Sequence, residues 1–308
     1  MKKTSIYLTN REKRSEAIAG FIMIAIPLIG FLVLKIYPIL WTFRWSFFSY
    51  NGIASLTRFI GLDNFKKVFS DGVYWRTWIT TLEFVFCKMP FEIALAMFLA
   101  ILLNKELKGS GLYRALYYLP SIISSVVTGI IFTSIFTYDG VMNTFLTNIG
   151  LIKEPLDWFS KKWTALGMLS AGGVWMGFGI NVLYFSAALA NVSQEIHESA
   201  QIDGANSVIR FFKITLPMIA PVFSIVVLLS LLANLSANEF IISFTGGAPA
   251  GQTQTVMSYL TTKFVPGFAE DSTPPLGYGC TLSLITTLLF ALLAVAYNKI
   301  NKKISNMY

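Results

Sequence analysis

Charge is what this sequence has least of. Only 13% of its 308 residues are Asp, Glu, Lys or Arg, against about a quarter in an ordinary soluble domain. Histidine is nearly absent, and the lone His197 excludes a metal centre built from several imidazoles. The two cysteines, Cys87 and Cys280, lie within apolar runs, so no disulfide framework is implied. No G-x-x-x-x-G-K-[ST] phosphate loop occurs, and His197-Glu198 is followed by Gln201 where H-E-x-x-H requires a second histidine. Internal repeats and low-complexity tracts are absent too. Disorder is excluded by composition, because 55% of the residues are hydrophobic.

Long apolar runs are what the sequence does have. Crossing about 30 Å of hydrocarbon takes roughly 20 helical residues. Five stretches contain no Asp, Glu, Lys or Arg: Ala17 to Leu34, Ala115 to Tyr138, Trp163 to Gln194, Ile214 to Asn238 and Ser272 to Asn298. A sixth, Thr77 to Asn104, is as long but carries Glu83 and Lys88 in its first half and Glu92 just past its middle. The expected fold class is all-α: a polytopic membrane protein of six transmembrane helices at about 17–40, 77–104, 115–138, 163–190, 214–244 and 278–298. The apolar run at the start is followed directly by Lys35-Ile36-Tyr37-Pro38 without a small-x-small cleavage site, which favours an uncleaved first span over a signal peptide.

Basic residues give the orientation. With the N-terminus inside, the inner segments 1–16, 104–114, 191–213 and 299–308 hold 13 Lys or Arg in 60 residues, and the outer segments hold 9 in 95. The bias favours both termini in the cytoplasm, with Arg44, Arg58, Lys66, Lys67 and Arg76 in the outer segment 41–76 working against it. It also accounts for the pI of 9.4 without a nucleic-acid partner. The longest stretch outside the membrane is about 36 residues, too short for an independent domain. Energy must therefore come from a partner chain or an ion gradient. Gly173 and Gly177 form a GxxxG pair, suited either to helix packing within one subunit or to a subunit interface.

Polar groups inside a bilayer are costly and turn toward a cavity or a partner. On the fifth span Asn234 and Asn238 are spaced i, i+4 and share a face, with Glu239 beside them near the outer surface. On the fourth, Trp175, Asn181 and Tyr184 offer a ring surface and hydrogen-bonding groups. Ring faces beside amide donors and acceptors suit a polar organic molecule with some apolar surface. These six are candidates for a substrate path; the alternative for each is an interhelical hydrogen bond or an interfacial anchor. Lys88 and Glu92, also i, i+4, read either as a buried structural pair or, with Glu83, as an ion relay. An intramembrane enzyme would need a catalytic constellation that one histidine, without paired aspartates in the spans, does not supply.

The segment between the fourth and fifth spans, 195–217, reads as a short helix, a break at Asp203-Gly204 and a second helix that Asp203 could cap. The spacing Glu198-Ser199-Ala200-x-x-Asp203-Gly204-Ala205, then Phe211-x-x-Ile214-x-Leu216-Pro217, resembles the EAA motif of permease subunits of bacterial ABC importers. Ser199 stands where that motif usually has Ala. Further matches resemble the sugar-permease branch: Tyr37-Pro38-Ile39-Leu40-Trp41, Gly61-Leu62-Asp63-Asn64-Phe65, Gly111-Leu112-Tyr113-Arg114-Ala115 and Thr245-Gly246-Gly247-Ala248-Pro249. The resemblance implies the type I ABC importer permease fold in a bacterial cell membrane. It implies a second, non-identical permease, two ABC ATPase subunits that bind ATP and Mg while this chain holds no cofactor, and an extracytoplasmic sugar-binding protein. Loop 191–213 would be the coupling element and the substrate a sugar or oligosaccharide. The rival is a gradient-driven secondary transporter or channel, with Glu83, Lys88 and Glu92 as its polar core.

Overall fold

The computed structural model describes residues 10–104, 110–264 and 275–305. The inner segments 1–16, 104–114 and 299–308 therefore fall partly outside the described residues. Six helical stretches are long and apolar enough to cross a membrane, the first being Ile18–Trp45 and the last Leu276–Lys303. Apolar composition over that length dictates helix, since a backbone in hydrocarbon must satisfy its own hydrogen bonds.

The first span joins α1 (Asn10–Phe31) to α2 (Tyr37–Trp45) through a π-helical turn at Leu32–Ile36. Its N-terminal half leaves large side chains such as Phe21 and Met23 exposed, and none of its described side chains is buried. A two-stranded hairpin, β1 (Phe48–Ser49) and β2 (Arg58–Phe59), then leads to α3 (Asp63–Ser70). The spine is α4 (Gly72–Leu103). Asp71 starts it: one carboxylate oxygen accepts from the backbone N–H groups of Val73 and Tyr74 at 2.9 and 3.0 Å, satisfying donors that a helix start leaves open. The other oxygen accepts from the hydroxyls of Tyr259, at 2.7 Å, and Tyr278. Burial pushes this carboxyl up, yet the tyrosine and backbone hydrogen bonds outweigh it and hold it below the ordinary carboxylate range.

Three apolar clusters lie along α4. Tyr74 and Trp78 pack with Val256 and Leu282; Phe84 packs with Leu169, Phe240 and Phe244; Met97 packs with Phe185, Ile219 and Val226. The partners come from α8 (Lys162–Leu189), α11 (Leu216–Leu235), α12 (Glu239–Phe244), α13 (Val256–Phe264) and α14 (Leu276–Ser305).

Two spans expected as continuous helices are broken. The third, expected over 115–138, divides into α5 (Ser110–Ile122) and α6 (Ser125–Phe136), with Ile123 and Ser124 non-helical, before α7 (Val141–Asn148). The fifth, expected over 214–244, stops at Leu235 and resumes as α12 after Ser236–Asn238. Neither break is marked by the glycine or proline that punctuates most interruptions. Pro120, which lacks an N–H, and the serines around 124 loosen the first; the second follows Asn234 into Ser236. Broken backbone at membrane depth is tolerated where it faces a cavity rather than lipid.

Close approach of α8 to its neighbours depends on glycine. A Cβ at Gly179 would stand 2.2 Å from the carbonyl oxygen of Tyr117 on α5, whereas one at Gly167 on the same helix would meet nothing within 4 Å. Gly179→Val is expected to drive α5 from α8 and to destabilise the purified protein by about 1–3 kcal/mol, the usual cost of overpacking. Gly167→Val should leave thermal unfolding in detergent, followed by tryptophan fluorescence, within error of the parent chain.

Candidate functional site

The two helix breaks open onto one cavity of about 600 Å³ against the middle of α4. Ser125 lines it from the first break, and Ser236, Asn238 and Glu239 line it from the second. Of the six residues expected to form a substrate path, Asn181, Tyr184, Asn234, Asn238 and Glu239 are in its wall. Trp175 is not; it is partly exposed, with its ring 5.6 Å from that of Phe132.

Lys88 and Glu92 occupy the centre of the wall. They form an i, i+4 ion pair, Nζ to Oε2 3.2 Å, with side chains 8% and 5% exposed. Two amides complete the network. Asn181 Nδ2 donates to Glu92 Oε1 and to Ser230 Oγ, both at 3.0 Å. Asn234 Nδ2 donates to Glu92 Oε2 at 3.2 Å, while its Oδ1 accepts from Lys88 Nζ. The lysine also stands over the Phe84 ring, 5.8 Å from its centroid. Four polar side chains from α4, α8 and α11 are thus mutually satisfied in a region where an unpaired one would be costly.

The GxxxG pair makes the room. A Cβ at Gly173 would stand 2.9 Å from the Lys88 side chain, and one at Gly177 would stand 2.6 Å from Glu92 Oε1. These glycines therefore serve packing inside this chain. Glu83 is not part of the network: it pairs instead with Lys162 at the start of α8, Nζ to Oε1 2.8 Å. Sequence reasoning weighed Lys88 and Glu92 as a pair but did not join them to the asparagines, which are 89 and 142 residues distant from Glu92.

Asn238 sits where the fifth span restarts. Its Nδ2 donates to Thr261 Oγ1 at 2.8 Å, and its Oδ1 is buried without a hydrogen-bond partner among the described residues. That acceptor, in the wall of a polar cavity, suits a donor from a bound molecule.

The second candidate site is the loop between the fourth and fifth spans. Ser193 precedes α9 (Gln194–Ile202) and its hydroxyl accepts from the Glu195 N–H at 3.3 Å. The helix ends in a Schellman arrangement: the Ala205 N–H reaches the Ala200 carbonyl at 2.9 Å and the Gly204 N–H reaches that of Gln201 at 3.1 Å. Gly204 is left-handed, φ +81°, where a side chain is strained. Asp203 closes this helix rather than capping the next. The cap of α10 (Ser207–Arg210) is Asn206, whose Oδ1 accepts from the Ile209 N–H at 2.9 Å. Asp203 lies inside the Schellman turn, three residues ahead of the capping position, too early to reach the exposed N–H groups. Arg210 bridges the break, donating to Gln201 and Ser207.

Glu198, Ser199, Asp203 and Gly204 are exposed, Ala205 is half-buried and Ala200 is buried. Phe211 and Leu216 turn toward α4 and line an apolar groove with Met97 and Phe223, while Pro217 is exposed. One residue of the loop was missed: Ile202, 87% exposed at the tip. An aliphatic side chain so placed beside Gly204 is a feature of a surface awaiting a partner.

Comparison with known proteins gives a consistent result. Residues 92–306 match the family model described as binding-protein-dependent transport system inner membrane component. The lactose transport system permease protein LacF of Rhizobium radiobacter is 33% identical over 92% of this chain and 93% of its own. The arabinooligosaccharides transport system permease protein AraP of Bacillus subtilis is 32% identical, covering 92% and 87%. Among solved structures, a chain of a bacterial ABC transporter involved in the import of the acidic polysaccharide alginate superposes with a TM-score of 0.79 at 20% identity, over 95% of this chain and 97% of that one.

Proposed function

This chain belongs to the family of binding-protein-dependent transport system inner membrane components, and on that premise we propose that it is one permease subunit of an ATP-driven importer of a sugar or oligosaccharide. The exposed α9–Gly204–α10 loop, with Glu198 and Ile202 outward, carries this reading. Six spans return the chain to the side on which it began, and the loop after the fourth span lies on that side. With the basic residues biased as they are, both termini and the loop are cytoplasmic. There the loop meets one of two ATPase subunits, which bind ATP and Mg.

A second, non-identical permease completes the translocation path, and an extracytoplasmic binding protein delivers the sugar. Closure of the ATPase pair reaches the spans as a rigid-body movement of α9 and α10, and α11 continues from α10 through a π-helical turn, Phe211–Thr215, toward the cavity. In the cavity Tyr184 offers a ring face and Asn238 Oδ1 an unsatisfied acceptor, which together suit a sugar's CH surface and hydroxyl groups. The lactose and arabinooligosaccharide permeases named above support saccharide as the class. The gradient-driven rival loses its motive, because Glu83 is paired away from Lys88 and Glu92.

Purification of the tagged chain from its native membrane in mild detergent, followed by mass spectrometry, is expected to recover an ATPase and a second permease. Glu198→Lys should lose the ATPase and keep the second permease. A chain that purifies alone would overturn the assignment.

A further inference from the structure

Of the charged side chains that line the central cavity, Lys88 and Glu92 neutralise each other and Glu239 is exposed at the rim. No unpaired cation lines it among the described residues. The pair also dictates what the neighbouring amides can offer. With its Nδ2 engaged by Glu92 and Ser230, Asn181 has only Oδ1 left, an acceptor. With its Oδ1 engaged by Lys88 and one Nδ2 hydrogen by Glu92, Asn234 has only the second Nδ2 hydrogen left, a donor.

An amide in a polar pocket can otherwise turn over, because its oxygen and nitrogen ends occupy nearly the same space. Here a turn of Asn234 would point Nδ2 at the Lys88 ammonium, donor against donor. A turn of Asn181 would point Oδ1 at the Glu92 carboxylate, acceptor against acceptor. Each amide is locked by charge.

We infer that Lys88 and Glu92 are positioning residues of the substrate path: their ion pair fixes the facing ends of Asn181 and Asn234 and leaves the wall without a free cation, so that it takes uncharged saccharides and rejects anionic ones. This rests on the saccharide reading above. It adds two residues outside the recognised motif and a substrate class, neutral rather than uronic.

The test uses the whole complex, with its binding protein, in proteoliposomes. The probes are radiolabelled lactose and arabinotriose as neutral saccharides and dimannuronate as the anionic one. The wild type is expected to take up at least one neutral probe and no dimannuronate. In Lys88→Met/Glu92→Leu the apolar pair keeps the helix packing, which co-purification of the ATPase checks, but frees both amides. KM for the neutral probe should rise about tenfold with the maximal rate within about twofold. The exchanged pair Lys88→Glu/Glu92→Lys restores an ion pair but reverses each amide, and KM should stay raised.

Unchanged KM in the apolar double variant would overturn the positioning role. A raised KM restored to wild type by the exchanged pair would reduce the two residues to scaffolding and overturn the orientation argument. Uptake of dimannuronate would overturn the substrate class. Wild-type complex that assembles yet takes up none of the sugars would instead overturn the saccharide reading, and this inference with it.

Discussion

Glu92→Leu alone is expected to cost the permease about 3–5 kcal/mol and to prevent its accumulation in the membrane, whereas Lys88→Met/Glu92→Leu should recover most of that loss, keeping only the cost of the hydrogen bonds that Asn181 and Asn234 give up. The single change removes the carboxylate that accepts from Lys88, Asn181 and Asn234. What remains is an ammonium with a nearly buried side chain, held only by the Asn234 carbonyl and the Phe84 ring. Removing one partner of a buried pair leaves an uncompensated charge, which is far worse than removing both. A charge without a partner at mid-span is costly even beside a cavity. Gly173 preserves the packing in the double variant: the room beside it is shaped to a long unbranched side chain, which Met fills as Lys does. Detergent-solubilised yield and the midpoint of thermal aggregation read the difference. A Glu92→Leu chain as stable as the double variant would mean that Lys88 escapes to water through the cavity, and the closed network would be wrong.

The spans and the loop could be read before any coordinates because each is written in consecutive residues. Hydrophobic runs free of charge locate helices whatever their packing, and Asp203-Gly204 marks its own break. What could not be read depends on residues that meet across the fold. Asn181 and Asn234 were chosen as cavity residues because a polar group in a span needs a reason, but their link to Glu92 spans 89 and 142 positions. The breaks at Ile123–Ser124 and Ser236–Asn238 were missed because neither segment contains a strong breaker. They exist because α6 and α12 pack side by side: a Cβ at Gly129 would stand 1.9 Å from Ser243 Oγ. Trp175 was chosen for its ring, and the helix face that carries it looks at Phe132 rather than at the cavity. Ile202 carries no signal in consecutive residues, because its 87% exposure is set by how the loop folds and not by its residue type.

Gly204→Trp is expected to abolish association with the ATPase while leaving insertion and pairing with the second permease intact. Gly204→Ala separates the two ways in which that could happen. At φ +81° any L-residue is strained, by roughly 1–2 kcal/mol, so Ala and Trp share the conformational cost. They differ only in bulk. Within the chain the position is open, since a Cβ at 204 meets nothing within 4 Å. Any excess loss with Trp must come from the partner that approaches this surface beside Ile202 and Glu198. ATPase recovered per permease should fall at least about tenfold from Ala to Trp, which corresponds to about 1.4 kcal/mol or more of lost association free energy. Equal recovery with Ala and Trp at a reduced level would assign the defect to the turn, and undiminished recovery with Trp would move the docking surface off this loop. Ile202→Ser provides the complementary loss: removing the exposed aliphatic group strains nothing, so reduced ATPase recovery there would report buried apolar contact at the same interface.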